Sequence, residues 1–256
     1  LFFFRKKKIP SEVCREAYFG LKGAATKTEN RGAAGGALTE TEKSHVAKSE
    51  TRYKRIKKDG TVSKTMRAVV HNSGIAGFFD RNTRFPYCRQ TRFTELERDK
   101  YLKGLPFLGY MSKLFEDSCP ERYKVQKKAI ENTHPDFRIE GTVFTTITVN
   151  KNFRTSYHTD AGDLKEGLGN IAVLRAGKYE GGYTVIPRYD CAFDLGSGDV
   201  CFFDVHEYHG NTEIIANSPY ERISVVAYYR ENMKHCGSMK EELDRAKRRK
   251  LGDKLI

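Results

Sequence analysis

The sequence predicts an α+β fold: a double-stranded β-helix (jelly-roll) core flanked by N-terminal helices and a basic β-hairpin. Three observations predict it. From 137 to 229, short alternating β-branched runs follow one another, with glycine-rich turns at 167–169, 177, 181–182 and 196–198. Between 93 and 133 the apolar residues recur at helical spacing instead. Lys58, Asp59 and Gly60 separate two extended runs, and Asp-Gly is the turn signal of a two-residue hairpin. The chain thus divides into an extension packed on the core (1–136), the core (137–232) and a basic helical tail (233–256).

Taken in order, Pro10, Ser11 and Glu12 open a helix with Ser11 as its N-cap. Residues 20–38 hold too much glycine for a regular helix or strand. They form either a surface loop or a backbone-rich segment close to a ligand. The hairpin arms are 51–57 and 61–70; the first is strongly basic, either a lysine-protected edge or a track for a phosphate backbone. Helices are expected at 93–104, 107–117 and 120–133. Thr94 and the Cys119-Pro120 pair mark starts, and Phe107, Tyr110, Leu114 and Phe115 have core spacing. Residues 144–149 read as a strand, and 153–157 as a second one that ends on His158. A third strand, 200–205, precedes His209. In a fourth, 221–230, alternation sets Arg222, Ser224, Tyr228 and Arg230 on one face. Residues 238–250 form a charged, solvent-facing helix ending in a basic cluster.

Composition narrows the function classes. Net charge is +13, from 46 Lys+Arg against 33 Asp+Glu, so polyanions and nucleic acid first among them are the expected partners. Fourteen Tyr and 16 Phe offer rings for stacking, though most must serve the core. The six cysteines include no C-x-x-C pair, which excludes a structural zinc pattern and points to reduced thiols in an intracellular setting. No apolar run approaches the roughly 18 residues of a membrane span. A chain that opens on Leu1 rather than Met is expected to start within a longer sequence or after processing.

The chemistry concentrates in His158, Thr159 and Asp160, followed by His209 and Arg222. Residues on either side of Thr159 project the same way from an extended chain, so His158 and Asp160 can grip one ion. With His209 they make two imidazoles and a carboxylate, a facial set that holds Fe(II) and leaves positions open for O₂ and a co-substrate. His206, three residues earlier, is the rival for the second imidazole; His209 is preferred because Gly210 and Asn211 supply a tight turn after it. Arg222, with a planar fork, suits the far carboxylate of 2-oxoglutarate.

These residues, with Gly162 and Asp163, 168–170, 181–183, 204–212 and Ser224, resemble the ten-eleven-translocation and base-J-binding-protein (TET/JBP) oxygenases. Upstream, 31–34, 73–80 and 87–91 are similar to segments of small phage and microbial members, so the likeness covers most of 30–230. The resemblance implies oxidation of the 5-methyl group of a pyrimidine in nucleic acid, within a phage-infected or bacterial cytoplasm or a eukaryotic nucleus. It implies His158, Asp160 and His209 as iron ligands and Arg222 with Ser224 as the 2-oxoglutarate clamp. Asp163 matches a base-contacting position and could accept from the exocyclic amine of cytosine, which favours 5-methylcytosine in DNA. Tyr228 matches a stacking aromatic. Arg230 stands where TET-like members carry a base-contacting histidine. Arg31, in the glycine-rich segment, is expected to contact the nucleotide. Thymine hydroxylation, an RNA substrate, a protein or small-molecule substrate, and an inactive nucleic-acid-binding module are the alternatives. A cupin without an oxo-acid co-substrate would not need Arg222 and Ser224.

Overall fold

The computed structural model describes residues 2–28, 31–35, 46–49, 52–56, 59–67 and 70–250. Its centre is an eight-stranded antiparallel sheet. In spatial order it runs β1 (Phe2–Arg5), β13 (Val200–Phe203), β9 (Gly169–Ala176), β16 (Glu221–Tyr228), β8 (Thr146–Lys151), β6 (His71–Phe79) and β2 (Lys27–Thr28), with β7 (Arg89–Gln90) beside β6. Four of these strands come from the first 136 residues, so the sheet reaches beyond 137–232. A smaller sheet places β11 (Thr184–Ile186) between β12 (Cys191–Phe193) and β14 (Gly210–Asn211). Next to it, β10 (Glu180–Gly181) pairs β15 (Ile214–Ile215). The two faces enclose one cavity, as a jelly roll requires.

Strand alternation decides which side chains meet that cavity. On β16, Ile223, Val225 and Ala227 point into the main apolar core, while Arg222, Ser224, Val226 and Tyr228 line the cavity. On β8, Ile147 and Val149 are core, and Thr148 and Asn150 face the cavity. The apolar side is covered by α1 (Ser11–Leu21), α2 (Arg92–Leu96), α3 (Arg98–Ser118) and α4 (Pro120–Glu131). Phe115 of α3 stacks on Phe202 of β13, ring centroids 5.8 Å apart. A Cβ on Gly104 would fall 2.5 Å from Leu21 Cδ2, so only glycine lets α1 and α3 approach this closely.

Several local expectations change. The residues around Pro106 do not divide two helices: α3 runs through them, because Pro106 sits on the solvent side where the carbonyl it leaves unpaired can meet water. The break falls at Glu97 instead. Ser11 is the first helical residue and Pro10 the cap. Thr94 lies inside α2, where its hydroxyl accepts from Gly77 N at 2.7 Å. Tyr110 is 40% exposed rather than core. Residues 153–157 form no strand; Asn152, at φ 49°, turns the chain out of the sheet after β8. In the hairpin, β4 (Arg52–Ile56) pairs β5 (Val62–Arg67), with Ile56 opposite Val62, and also pairs β3 (Val46–Ser49). Lys57, Lys58 and the basic side chains of 52–56 lie outside the described residues. The tail helix, α5 (Met239–Lys250), is docked rather than free: Glu242 is 1% exposed and accepts from Arg81, Cys88 N and Gly237 N.

Cys88 and Cys236 form a disulfide across 148 residues, which corrects the expectation of six free thiols. Sequence spacing carries no sign of it, since the fold alone brings the two Cα atoms to 5.8 Å. Cys14, Cys119, Cys191 and Cys201 are free.

Truncation of Phe115, fully buried between helix and sheet, to alanine should cost about 3–5 kcal/mol in urea titrations. Tyr110→Ala on the exposed side of the same helix should stay within about 0.5 kcal/mol. Equal losses would contradict this packing.

Candidate active site

The site is assembled by a two-residue bridge. His158 and His209 exchange both backbone hydrogen bonds, N to O at 2.9 Å each, so their side chains project to the same side with ring centroids 4.4 Å apart. Asp160 N donates to Val205 O at 2.9 Å, which turns its carboxylate toward the pair. His158 Nε2 is then 3.5 Å from Asp160 Oδ1, and His209 Nε2 is 3.7 Å from Oδ2. One ligand atom from each residue lies within 4.8 Å of the other two.

The donor set fits a divalent iron. Each imidazole gives its Nδ1–H to a backbone carbonyl, His158 to Ser156 O at 2.7 Å and His209 to Glu207 O at 2.9 Å. The Nε2 lone pairs are thereby aimed at the shared centre. Burial opposes charge on His158, but the hydrogen bond and charge of Asp160, together with the Ser156 and His209 carbonyls, outweigh it and the pKa rises; on the more deeply buried His209 desolvation wins and the pKa falls. Burial would raise Asp160, yet its histidine partners hold it below the usual carboxylate range. His206 is not part of this cluster. Its Nδ1 is 2.9 Å from Asp204 Oδ1 on a partly exposed turn.

The cavity above the triad has a volume of about 370 Å³. At one end lies Arg222, 3% exposed, with Nη2 donating to Gly182 O at 2.7 Å and Nε unpaired. Burial lowers its pKa. Gly182 has φ 67°, and a Cβ there would sit 2.9 Å from Arg222 Nε, so glycine is what lets the guanidinium lie in this turn. Ser224 Oγ accepts from Asn150 Nδ2 at 3.3 Å, and Asn150 Oδ1 in turn accepts from the Ser73 hydroxyl. At the other end stand Asp163, Tyr228, Arg230 and Arg31. Burial, reinforced by the charge of Asp160, pushes Asp163 well above the usual carboxylate range, and its Oδ2 is unpaired. Tyr228 hydrogen-bonds Thr148 Oγ1 at 3.1 Å. Arg31 is brought in by the short turn Gly32–Gly35, tied down where Ser156 N donates to Ala34 O at 3.0 Å.

All nine residues singled out in the sequence line this one cavity. Sequence reasoning missed what holds Arg230. Its Nε and Nη2 point at the carboxylate of Asp80, at 2.8 and 3.4 Å, and its Cζ lies 4.2 Å from the centre of the Phe79 ring. Asp80 is 1% exposed, so this ion pair is largely desolvated. Asn150 and Thr148 were also missed; their signal was the alternation of β8 itself.

Comparison with known proteins settles the family. The model of the Tet_JBP family, the oxygenase domain of the 2OGFeDO superfamily, matches residues 74–231. The chain belongs to this family. Its oxygenases use Fe(II), 2-oxoglutarate and O₂. The chain is 38% identical over 188 residues to thymine dioxygenase JBP1 of Trypanosoma brucei brucei, covering 71% of this chain and 22% of that protein. It is 33% identical over 228 residues to the bifunctional helicase and thymine dioxygenase JBP2 of Leishmania major, 88% of this chain and 18% of that protein. The chain thus spans about a fifth of the length of these relatives. The solved structure of NgTET1 in complex with 5mC DNA shares the fold, with TM-score 0.54, 17% identity and 69% of both chains covered. Among the described residues no helix is long and apolar enough to cross a membrane.

Two outcomes test this geometry. His209→Ala should abolish stoichiometric Fe(II) uptake in anaerobic titration, and His206→Ala should leave it intact. Asp80→Ala, which strands a buried guanidinium, should destabilise the fold by about 3–5 kcal/mol in denaturant titration. A loss under about 1 kcal/mol would mean that water already screens the pair.

Proposed function

We propose that this chain hydroxylates the 5-methyl group of a pyrimidine in DNA, as an Fe(II)- and 2-oxoglutarate-dependent dioxygenase. One observation carries the reading: the His158, Asp160 and His209 cluster opens on the same cavity as a buried arginine at one end and an aromatic with polar side chains at the other. His158, Asp160 and His209 would hold the iron. Arg222 binds the far carboxylate of 2-oxoglutarate as a charged fork, and Ser224, held by Asn150, adds a hydroxyl. Bound iron supplies an oxidant strong enough for a methyl C–H: O₂ and 2-oxoglutarate are consumed, and CO₂, succinate and the hydroxymethyl base are released. The triad lies inside the barrel, so a stacked base cannot reach it and the target must leave the duplex. Tyr228 then offers a ring face, while Asp163 and Arg230 meet the polar edge of the base. Arg31 and the net charge of +13 serve the backbone.

Thymine is the base we assign, because the curated relatives at 38% and 33% identity are thymine dioxygenases by name. A second reading, 5-methylcytosine, rests on Asp163, whose unpaired Oδ2 could accept from an exocyclic amine. An intracellular site of action belongs to the same proposal, and RNA is the alternative polymer.

The test supplies the anaerobically loaded protein with O₂, 2-oxoglutarate and DNA containing either thymine alone or 5-methylcytosine. Digested nucleosides are then read by mass spectrometry. A hydroxylated thymidine, absent with Asp160→Ala, is the expected result. Product only from 5-methylcytosine would select the second reading. Turnover of 2-oxoglutarate with no altered base in DNA or RNA would move the substrate to a protein or small molecule.

A further inference from the structure

Among the described residues, the buried side-chain polar atoms without a hydrogen-bond partner include Arg222 Nε and Thr184 Oγ1, which both line the cavity. Native proteins pair the large majority of such atoms, so orphans lining one cavity call for a partner from outside the chain. Thr184 is 2% exposed and lines the cavity. In the register of β11 and β14 it stands opposite Asn211, and Val185 opposite Gly210. Thr184 therefore shares its face with Asn211 and His209, which also line the cavity. Two residues before Thr184 is Gly182, whose carbonyl takes a hydrogen from Arg222 Nη2. The turn that seats the guanidinium thus also delivers the threonine. Because part of the arginine fork is already engaged by Gly182 O, a carboxylate there has lone pairs left for a second donor.

We propose that the Thr184 hydroxyl donates a hydrogen bond to the far carboxylate of 2-oxoglutarate beside Arg222. This rests on the co-substrate assignment made above, and it adds a binding residue to Arg222 and Ser224.

The experiment is a calorimetric titration of 2-oxoglutarate, and separately of pyruvate, into the Mn(II)-loaded protein. Pyruvate keeps the 2-oxo acid group and lacks the far carboxylate. Thr184→Val should raise the Kd for 2-oxoglutarate about tenfold, the worth of one hydrogen bond to a charged group, and leave pyruvate unchanged. Thr184→Ser, which keeps the hydroxyl, should bind like wild type. Without ligand, Thr184→Val should melt at the same or a higher temperature, because it removes a polar atom that nothing satisfies. Equal 2-oxoglutarate affinity in wild type and Thr184→Val, or parallel losses for both acids, would overturn the assignment. A wild-type protein that binds no 2-oxoglutarate would overturn the oxygenase reading itself.

Discussion

Everything in the site depends on two backbone hydrogen bonds between His158 and His209, residues 51 apart in the chain. An imidazole on a loop samples many orientations, and holding two of them over one point costs conformational entropy at each. Here the cost is met during folding, because the bridge is continuous with pairing that the sheets already require. Gly210 permits it: a Cβ there would press on the Ser156 carbonyl at 3.0 Å, the same carbonyl that fixes the tautomer of His158. Ligand geometry, tautomer and loop closure are therefore one arrangement.

The same strands serve stability and chemistry on opposite faces. β16 gives Ile223, Val225 and Ala227 to the core, and between them it lifts Arg222 and Ser224 into the cavity. Polar atoms on the cavity side are desolvated without full compensation, as Asp163 Oδ2 and Arg222 Nε show. The apolar side offsets that cost: Phe115, Phe144, Phe202 and Leu174 are almost wholly buried there. A slip of one residue in the register of β16 would exchange the two faces, so the pairing with β8 and β9 fixes function and fold together.

How much of this was legible follows from the range of each interaction. Period-two alternation is local, and it placed Arg222, Ser224 and Tyr228 on one face correctly. His-x-Asp spacing is local too. The choice of His209 over His206 leaned on the glycine that follows, and the bridge to His158 gives that glycine its reason. The break expected between 104 and 107 is absent because a proline is tolerated where its side of the helix meets water, and that is a tertiary fact. Residues 153–157 have the composition of a strand, but their backbone bonds to Ala34 and Asn211 build no continuous ladder among the described residues, and composition cannot report that. Asp80 with Arg230, Cys88 with Cys236 and the docking of Glu242 join positions about 150 residues apart, and only the fold brings them together.

The Cys88–Cys236 link closes a covalent ring around nearly the whole site. The proposed metal ligands, the arginine and serine of the clamp, and the three residues facing the base from 163 to 230 all lie inside it; Arg31 and Asp80 lie outside. A backbone cut anywhere in 89–235 would leave both fragments joined under non-reducing conditions and free to stay paired through the sheet. A single proteolytic nick at the exposed residues 177–178 would therefore show on a gel only after reduction, so the bond hides backbone damage that other parts of the chain would reveal at once.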